Sequence, residues 1–235
     1  MTSKKVIITQ SNYIPWKGYF DAFQLVDEVI LYDDMQYTKR DWRNRNQIKT
    51  PQGLQWLSIS VEVKGKFSQT IQETKISEKD WNEKHWKTIQ MSYSKAPFFK
   101  EYKAILEDLY MNCKEDNLSL INYRFLDGIN KILNITTPMR FSSEFVLAEG
   151  KTEKLVDLCK QVGATDYYTG SAAKNYMNEA LFEQENIKVH YLDYTNYPEY
   201  KQLYPPFTHA VSILDLIFNA GEEATNYMKN FKNKK

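Results

Sequence analysis

The 235-residue chain sets 31 Lys and Arg against 30 Asp and Glu, for a net charge of +1, with 42% hydrophobic residues. This balance argues against a dedicated nonspecific nucleic-acid binder, whose surface is strongly basic, and against a disordered or fibrous chain. The length suits one α/β domain over 1–235, with room for an elaboration.

"MTSKKVIITQ" holds only four successive apolar residues, far short of a signal peptide. No run approaches the roughly 18 apolar residues of a membrane span, so a cytoplasmic location is expected. Cys113 and Cys159 lie in helix-like segments with no second thiol nearby, which predicts neither a disulfide nor a metal knuckle.

Val6 to Thr9 is apolar and β-branched on successive residues, the pattern of a strand buried on both faces. After a loop marked by Ser11, Asn12 and Pro15, the helical spacing of Tyr19, Phe20, Phe23 and Val26 predicts a helix. A second strand, Val29 to Tyr32, ends in Asp33 and Asp34. Such a β-α-β start puts both strand ends on one edge. Gln10 to Trp16 and Asp33 to Arg45 are therefore expected to face one another across a ligand crevice.

"LQWLSISVEV" reads as a further strand and "KGKFSQTIQETKIS" as a hairpin or edge strand. A helical insertion is expected at about 78–134, where Trp81, His85, Ile89 and Tyr93 repeat at four-residue steps. "TPMRFSSEFVLAEG" holds a short strand. A helix follows from Thr152, its expected N-cap, to the stop at Gly163. "TDYYTG" and "IKVHYLDY" are strands, and "SAAKNYMNEALFEQEN" between them reads as one helix. A last helix follows His209, capped by Ser212 and ended near Gly221. The alternation predicts a mostly parallel sheet.

Several groups invite chemistry. The segment from Asp33 to Lys49 concentrates Lys39, Arg40, Arg43, Arg45 and Lys49 with Gln36, Trp42, Asn44 and Asn46. Arginine forks match phosphate or carboxylate oxygens, amides read hydroxyls, and Trp42 offers a stacking face. A solvated basic loop is the plainer alternative. The Thr169, Gly170, Ser171 corner runs from strand into helix and would present backbone N–H groups to an anion, or be an ordinary capped turn. Asp33 sits at a strand end, where it would move a proton, hold a metal or pair with the cations that follow. His85 and His190 read as structural, whereas His209 after Pro205 and Pro206 is a candidate acid or base. There is no Walker or GxGxxG loop and no recognisable nucleophile. The 17 Tyr, 12 Phe and 5 Trp supply stacking surfaces as well as core.

"QSNYIPWKGYFDAFQLVDEVILYDDMQYTKRDWRNRNQIKT", with "WLSISV", "YTGSAAKNY" and "FTHAVSILDLIFNAG", resembles the WbqC-like family across essentially the whole chain. The resemblance implies a place in bacterial surface-polysaccharide or O-antigen synthesis, and so a nucleotide-linked amino sugar as partner. Where that family commonly has Gln-Pro, this chain has Gln10 and Ser11. The opening unit is also similar to nucleotidyltransferase-like enzymes such as pantothenate synthetase, which implies a Rossmann-like sheet. "WKGY", Trp16 to Tyr19, takes the place of their His-x-Gly-His, with Gly18 allowing close backbone approach; adenylyl transfer by those histidines is not implied.

The resulting expectation is a transferase acting on a nucleotide-linked sugar, by acyl or aminoacyl transfer to an amino sugar. Gln10, Asn12, Tyr13, Trp16, Gly18, Tyr19, Gln36, Arg40, Trp42, Arg43, Asn44, Arg45, Thr169, Gly170 and Ser171 would bind substrate. Asp33 or His209 would handle the proton. The cofactor is open, with ATP and Mg2+ at Asp33 or an acyl donor as the possibilities. A noncatalytic module that binds a glycan precursor or nucleotide is the alternative, and RNA binding through the basic loop a third.

Overall fold

The computed structural model describes residues 3–231. In chain order the elements are β1 (Lys5–Thr9), α1 (Lys17–Leu25), β2 (Glu28–Leu31), β3 (Arg45–Thr50), β4 (Gly53–Ser58), α2 (Trp81–Tyr93), α3 (Phe99–Met111) and α4 (Leu118–Ile132). They continue with β5 (Met139–Phe141), α5 (Thr152–Gln161), β6 (Asp166–Gly170), α6 (Glu179–Gln184), β7 (Lys188–Leu192) and α7 (Ile213–Ala220). The fold is mixed α/β around a five-stranded sheet in the order β5-β2-β1-β6-β7. Every pairing in that sheet is parallel, which gives the Rossmann-like order.

Both faces of the sheet are covered, and the strands show why. Ile7, Val29 and Leu31 pack into one core with α1, α2, α3, α4 and α7. Val6, Ile8, Ile30 and Tyr32 pack into a second core with α5 and α6. Fully burying one such side chain contributes about 1.5–3 kcal/mol, more than the roughly 0–1 kcal/mol of an exposed ion pair. Alternating burial therefore fixes the register, and slipping a strand by one residue would exchange its two faces.

Helices α2, α3 and α4 place Trp81, Ile89, Leu106, Phe125 and Ile129 in the first core. The Ser212 side chain caps α7 by accepting from the Leu214 N–H.

Five local expectations are corrected. Arg45–Thr50, read as loop, is a strand that pairs antiparallel with β4 outside the main sheet; its buried Asn46, Lys49 and Thr50 hide the usual apolar alternation. "LQWLSISVEV" stays in a strand only to Ser58, and the next segment makes isolated bridges, Gln36 to Thr70 and Val61 to Ile76. "SAAKNYMNEALFEQEN" divides into a 3-10 turn, Ser171–Asn175, and the short α6. Lys151 occupies the N-cap of α5, while the Thr152 hydroxyl accepts from the Asn178 N–H at 3.2 Å. Cys113 falls just beyond α3, and both cysteines are free and buried.

Candidate functional site

In a parallel sheet the loops at the carboxyl edge separate where neighbouring strands lead to opposite faces, and that fork lies between β1 and β6. A cavity of about 510 Å3 opens there, lined by Thr9, Gln10, Tyr19, Arg43, Thr169 and Gly170 among others. A second cavity of about 400 Å3 adjoins it and includes His209, Asn46 and Pro15. Asn12, Trp16, Trp42 and Tyr194 line both, so they stand at the boundary between two compartments.

The loops after β1 and β2 do not face each other across this space. They are fused into one wall, because β1 and β2 are neighbours and the fork lies on the far side of β1. The Tyr13 N–H donates to the Trp42 carbonyl at 3.1 Å, the Arg43 guanidinium donates to the Asn12 side-chain oxygen, and the Asn46 amide donates to the carbonyls of Tyr13 and Ile14. Helix α4 ties the wall from behind: Asn122 donates to Ser11 Oγ at 3.0 Å and to the Arg43 carbonyl at 2.9 Å.

Asp33 lies beneath this wall and not in the crevice. It is 1% exposed. Its carboxylate accepts from the Ser11 N–H at 2.8 Å, the Ser11 hydroxyl at 2.7 Å and the Ser119 hydroxyl. Burial pushes its pKa up, although these hydrogen bonds and Arg43 oppose the rise. With its oxygens so engaged it positions the loop, and the group does not fit a Mg2+ site. Asp34 is likewise taken, by the Ser142 hydroxyl.

His209 lines the smaller compartment. Its Nδ1 is buried and has no partner among the described residues. Burial first, and then the Lys17 cation, lower its pKa, with Glu199 opposing, so the imidazole is neutral at pH 7. Lys17 is 4% exposed and donates to the Pro198 carbonyl at 2.5 Å. Burial brings its pKa down to about 8. A neutral imidazole in a half-apolar compartment suits a proton acceptor.

The five cations of the Asp33 to Lys49 segment have different fates. Arg43 reaches the crevice. Arg45 lies over Trp56, 4.1 Å from the ring centroid, and Arg40 and Lys39 are exposed outside both linings. Lys49 is buried and donates to Gln202 Oε1 at 2.8 Å and to the carbonyls of Tyr204 and Pro206, which pins the segment carrying His209.

Three further predicted residues also serve the scaffold. Tyr13 is fully buried, hydrogen-bonded to His85 at 2.9 Å and Tyr110 at 2.8 Å. Asn44 donates to the Ile59 carbonyl and Gln36 to that of Phe67. Gly18 does make a close approach possible, but to the Trp16 indole: a Cβ there would sit 2.2 Å from the ring. Tyr19 lines the crevice while its hydroxyl donates to the Gln10 carbonyl at 2.8 Å. Gly170 lines the crevice with open space where a Cβ would be. Ser171 is exposed outside both linings and begins a 3-10 turn, which is too short to offer the dipole of an α-helix.

The model of the WbqC-like protein family matches residues 10–227, nearly the whole chain. The chain belongs to the WbqC-like family. It is 51% identical over 226 residues to the uncharacterized protein Rv1507c of Mycobacterium tuberculosis (strain ATCC 25618 / H37Rv), a match covering 96% of this chain and 98% of that protein. No solved structure matches. No helix of the described residues is long and apolar enough to cross a membrane. Among those residues no group of three or more His, Cys, Asp or Glu is placed to hold a metal ion.

In this WbqC-like chain, sequence reasoning missed Gly150, Lys151 and Lys154, which line the larger compartment together with Tyr32, Tyr176 and Tyr194. A signal was present. Helices between parallel strands begin at the carboxyl edge, and a glycine followed by lysines at the first and fourth positions marks the start of α5.

Proposed function

We propose that this protein is a transferase acting on a nucleotide-linked amino sugar for surface-polysaccharide synthesis. The observation that carries the reading is the division of one crevice into two chemistries. The compartment at the β1/β6 fork holds Arg43, Lys151 and Lys154, and the adjoining one holds Trp16, Trp42 and a neutral His209. Cations suit a phosphate group, while aromatic faces beside amides suit a sugar ring. Each compartment falls in the range of small-molecule sites, roughly 300–1,000 Å3.

Acyl or aminoacyl transfer to the sugar amine fits the ionisation state of His209. As the amine nitrogen attacks the acyl carbonyl, the C–N bond forms and His209 takes the amine proton. The carbonyl then re-forms, and the bond to the donor's leaving group breaks with its electron pair. The donor class is an activated acyl group, such as a thioester, ester or acyl phosphate.

The burial of Asp33 favours a second reading, a noncatalytic carrier of the same ligand, because it removes one proton-transfer candidate. A thermal-shift screen of nucleotide sugars tests the shared binding claim, since a ligand that binds only the native state raises apparent stability. Assaying acyl incorporation into a bound amino-sugar nucleotide then separates the readings. The transferase predicts turnover that His209→Gln abolishes while the thermal shift persists. Binding without turnover for any acyl donor class would leave the carrier.

A further inference from the structure

The two compartments differ in kind, and this sets a direction for whatever lies across them. The larger is lined by Arg43, Lys151 and Lys154, and by Tyr32, Tyr167 and Tyr176. The smaller has no Lys, Arg, Asp or Glu in its lining, where Asn12, Asn46, Trp16, Trp42, Tyr194 and His209 meet.

We infer that a nucleoside diphosphate sugar lies across the crevice in one orientation, its nucleotide and diphosphate in the Arg43, Lys151 and Lys154 compartment and its sugar in the His209 compartment. This rests on the proposed function and assigns which end of the substrate each compartment takes.

Charge decides the first half of the assignment. A diphosphate leaving water needs compensating cations or N–H donors, because burying an unpaired charge costs several kcal/mol. No cation lines the smaller compartment, and Lys17 near His209 is buried and donates to the Pro198 carbonyl. The larger offers three side chains, together with the start of α5, whose N-cap Lys151 makes no side-chain capping bond. Glu153 folds back over Gly150 there, so the lysines rather than the helix end supply most of the attraction.

Shape and ring chemistry decide the second half. A nucleobase has flat faces to set against Tyr176, which is 60% exposed and shares the lining with the open space at Gly170. A sugar needs a stacking face and amide partners. Trp42 is 43% exposed and lies at the boundary. The Asn12 side-chain oxygen is held by Arg43, which leaves its amide nitrogen to donate to a hydroxyl. The junction between diphosphate and sugar then falls at Asn12, Trp16 and Trp42, which line both spaces. The sugar substituents are presented to His209.

The test uses uridine and thymidine diphosphates and their glucose conjugates as parallel probes, titrated calorimetrically into the full-length protein. In the wild type each conjugate that binds should bind more tightly than its free diphosphate. The double substitution Lys151→Ala and Lys154→Ala should weaken diphosphate and conjugate alike, by about 10-fold or more. Trp42→Ala should weaken the conjugate more than the free diphosphate, and so remove the extra affinity of the conjugate. Both variants replace side chains that reach the surface, and unchanged thermal midpoints certify their folding. Wild-type binding that survives the double lysine substitution, or a Trp42→Ala loss equal for diphosphate and conjugate, would overturn the orientation while leaving nucleotide-sugar binding intact. Failure of the wild type to bind any of the probes would overturn both.

Discussion

Asp33 accepts hydrogen bonds from both the backbone N–H and the hydroxyl of Ser11, at 2.8 and 2.7 Å, and so joins the ends of β2 and β1 beneath the crevice wall. Ser119 of α4 adds a third donor. Helix α4 is thereby connected to the position of Arg43, since its Asn122 holds the Arg43 carbonyl.

This arrangement makes Asp33 a positioning residue. Asp33→Ala strands buried donors and is expected to cost about 3 kcal/mol, whereas Asp33→Asn, which keeps an acceptor of the same shape, should cost within about 1.5 kcal/mol. Burial raises the Asp33 pKa in the folded state. The folded protein therefore binds this proton more tightly than the unfolded chain, and the wild type loses stability relative to Asp33→Asn as pH climbs from about 4 through the raised value. Urea denaturation across pH, alongside ligand titration, checks both points. Loss of ligand binding in a stably folded Asp33→Asn would count against a purely positioning role.

Lys17 gives an opposite slope. Burial lowers its pKa to about 8, below the roughly 10.4 of an unfolded lysine. Between these values the unfolded chain binds more protons, so stability attributable to Lys17 rises with pH from about 8 to 10.4. Below pH 8 the cost of the buried cation is present in full. Comparing wild type with Lys17→Met by denaturation at pH 7 and pH 10 should show the gap between them change in this direction; a constant gap would contradict it.

Two glycines, Gly18 against Trp16 and Gly170 in the crevice lining, are expected to respond differently to the same change. Gly18→Ala gains up to about 1 kcal/mol of helix propensity, but its Cβ meets the Trp16 ring. The indole must move, so ligand affinity and tryptophan emission should both change even if stability barely does. Gly170 has φ −71° and open space at its Cβ. Gly170→Ala should keep or raise stability by about 0.4–1 kcal/mol, because the unfolded chain loses freedom. It should weaken binding by protruding into the crevice. Equal, unchanged affinities in both variants would argue against a ligand at this edge.

The parallel sheet was legible because burial on both faces leaves an uninterrupted apolar run, as in Val6 to Ile8, and α2 because Trp81, His85, Ile89 and Tyr93 keep one helical stripe. The strand Arg45–Thr50 was not, because Asn46 and Lys49 are buried polar groups satisfied by partners distant in sequence. The same limit applies to the site. Composition marks five cations near Trp42 but cannot say that Arg45 is spent on Trp56 and Lys49 on Gln202. The Lys151 and Lys154 contribution depends on β6 lying beside β1, a pairing across about 160 residues that local pattern does not encode.

The most direct test of the account is calorimetric titration of UDP-glucose and dTDP-glucose into the wild type, Arg43→Ala and Arg40→Ala. Arg43 lines the crevice and Arg40 does not. Saturable wild-type binding at one site per chain is expected, weakened about 10-fold or more by Arg43→Ala and unaffected by Arg40→Ala. No binding by the wild type at millimolar ligand, or equal losses in the two variants, would contradict the assignment of this crevice to a nucleotide sugar.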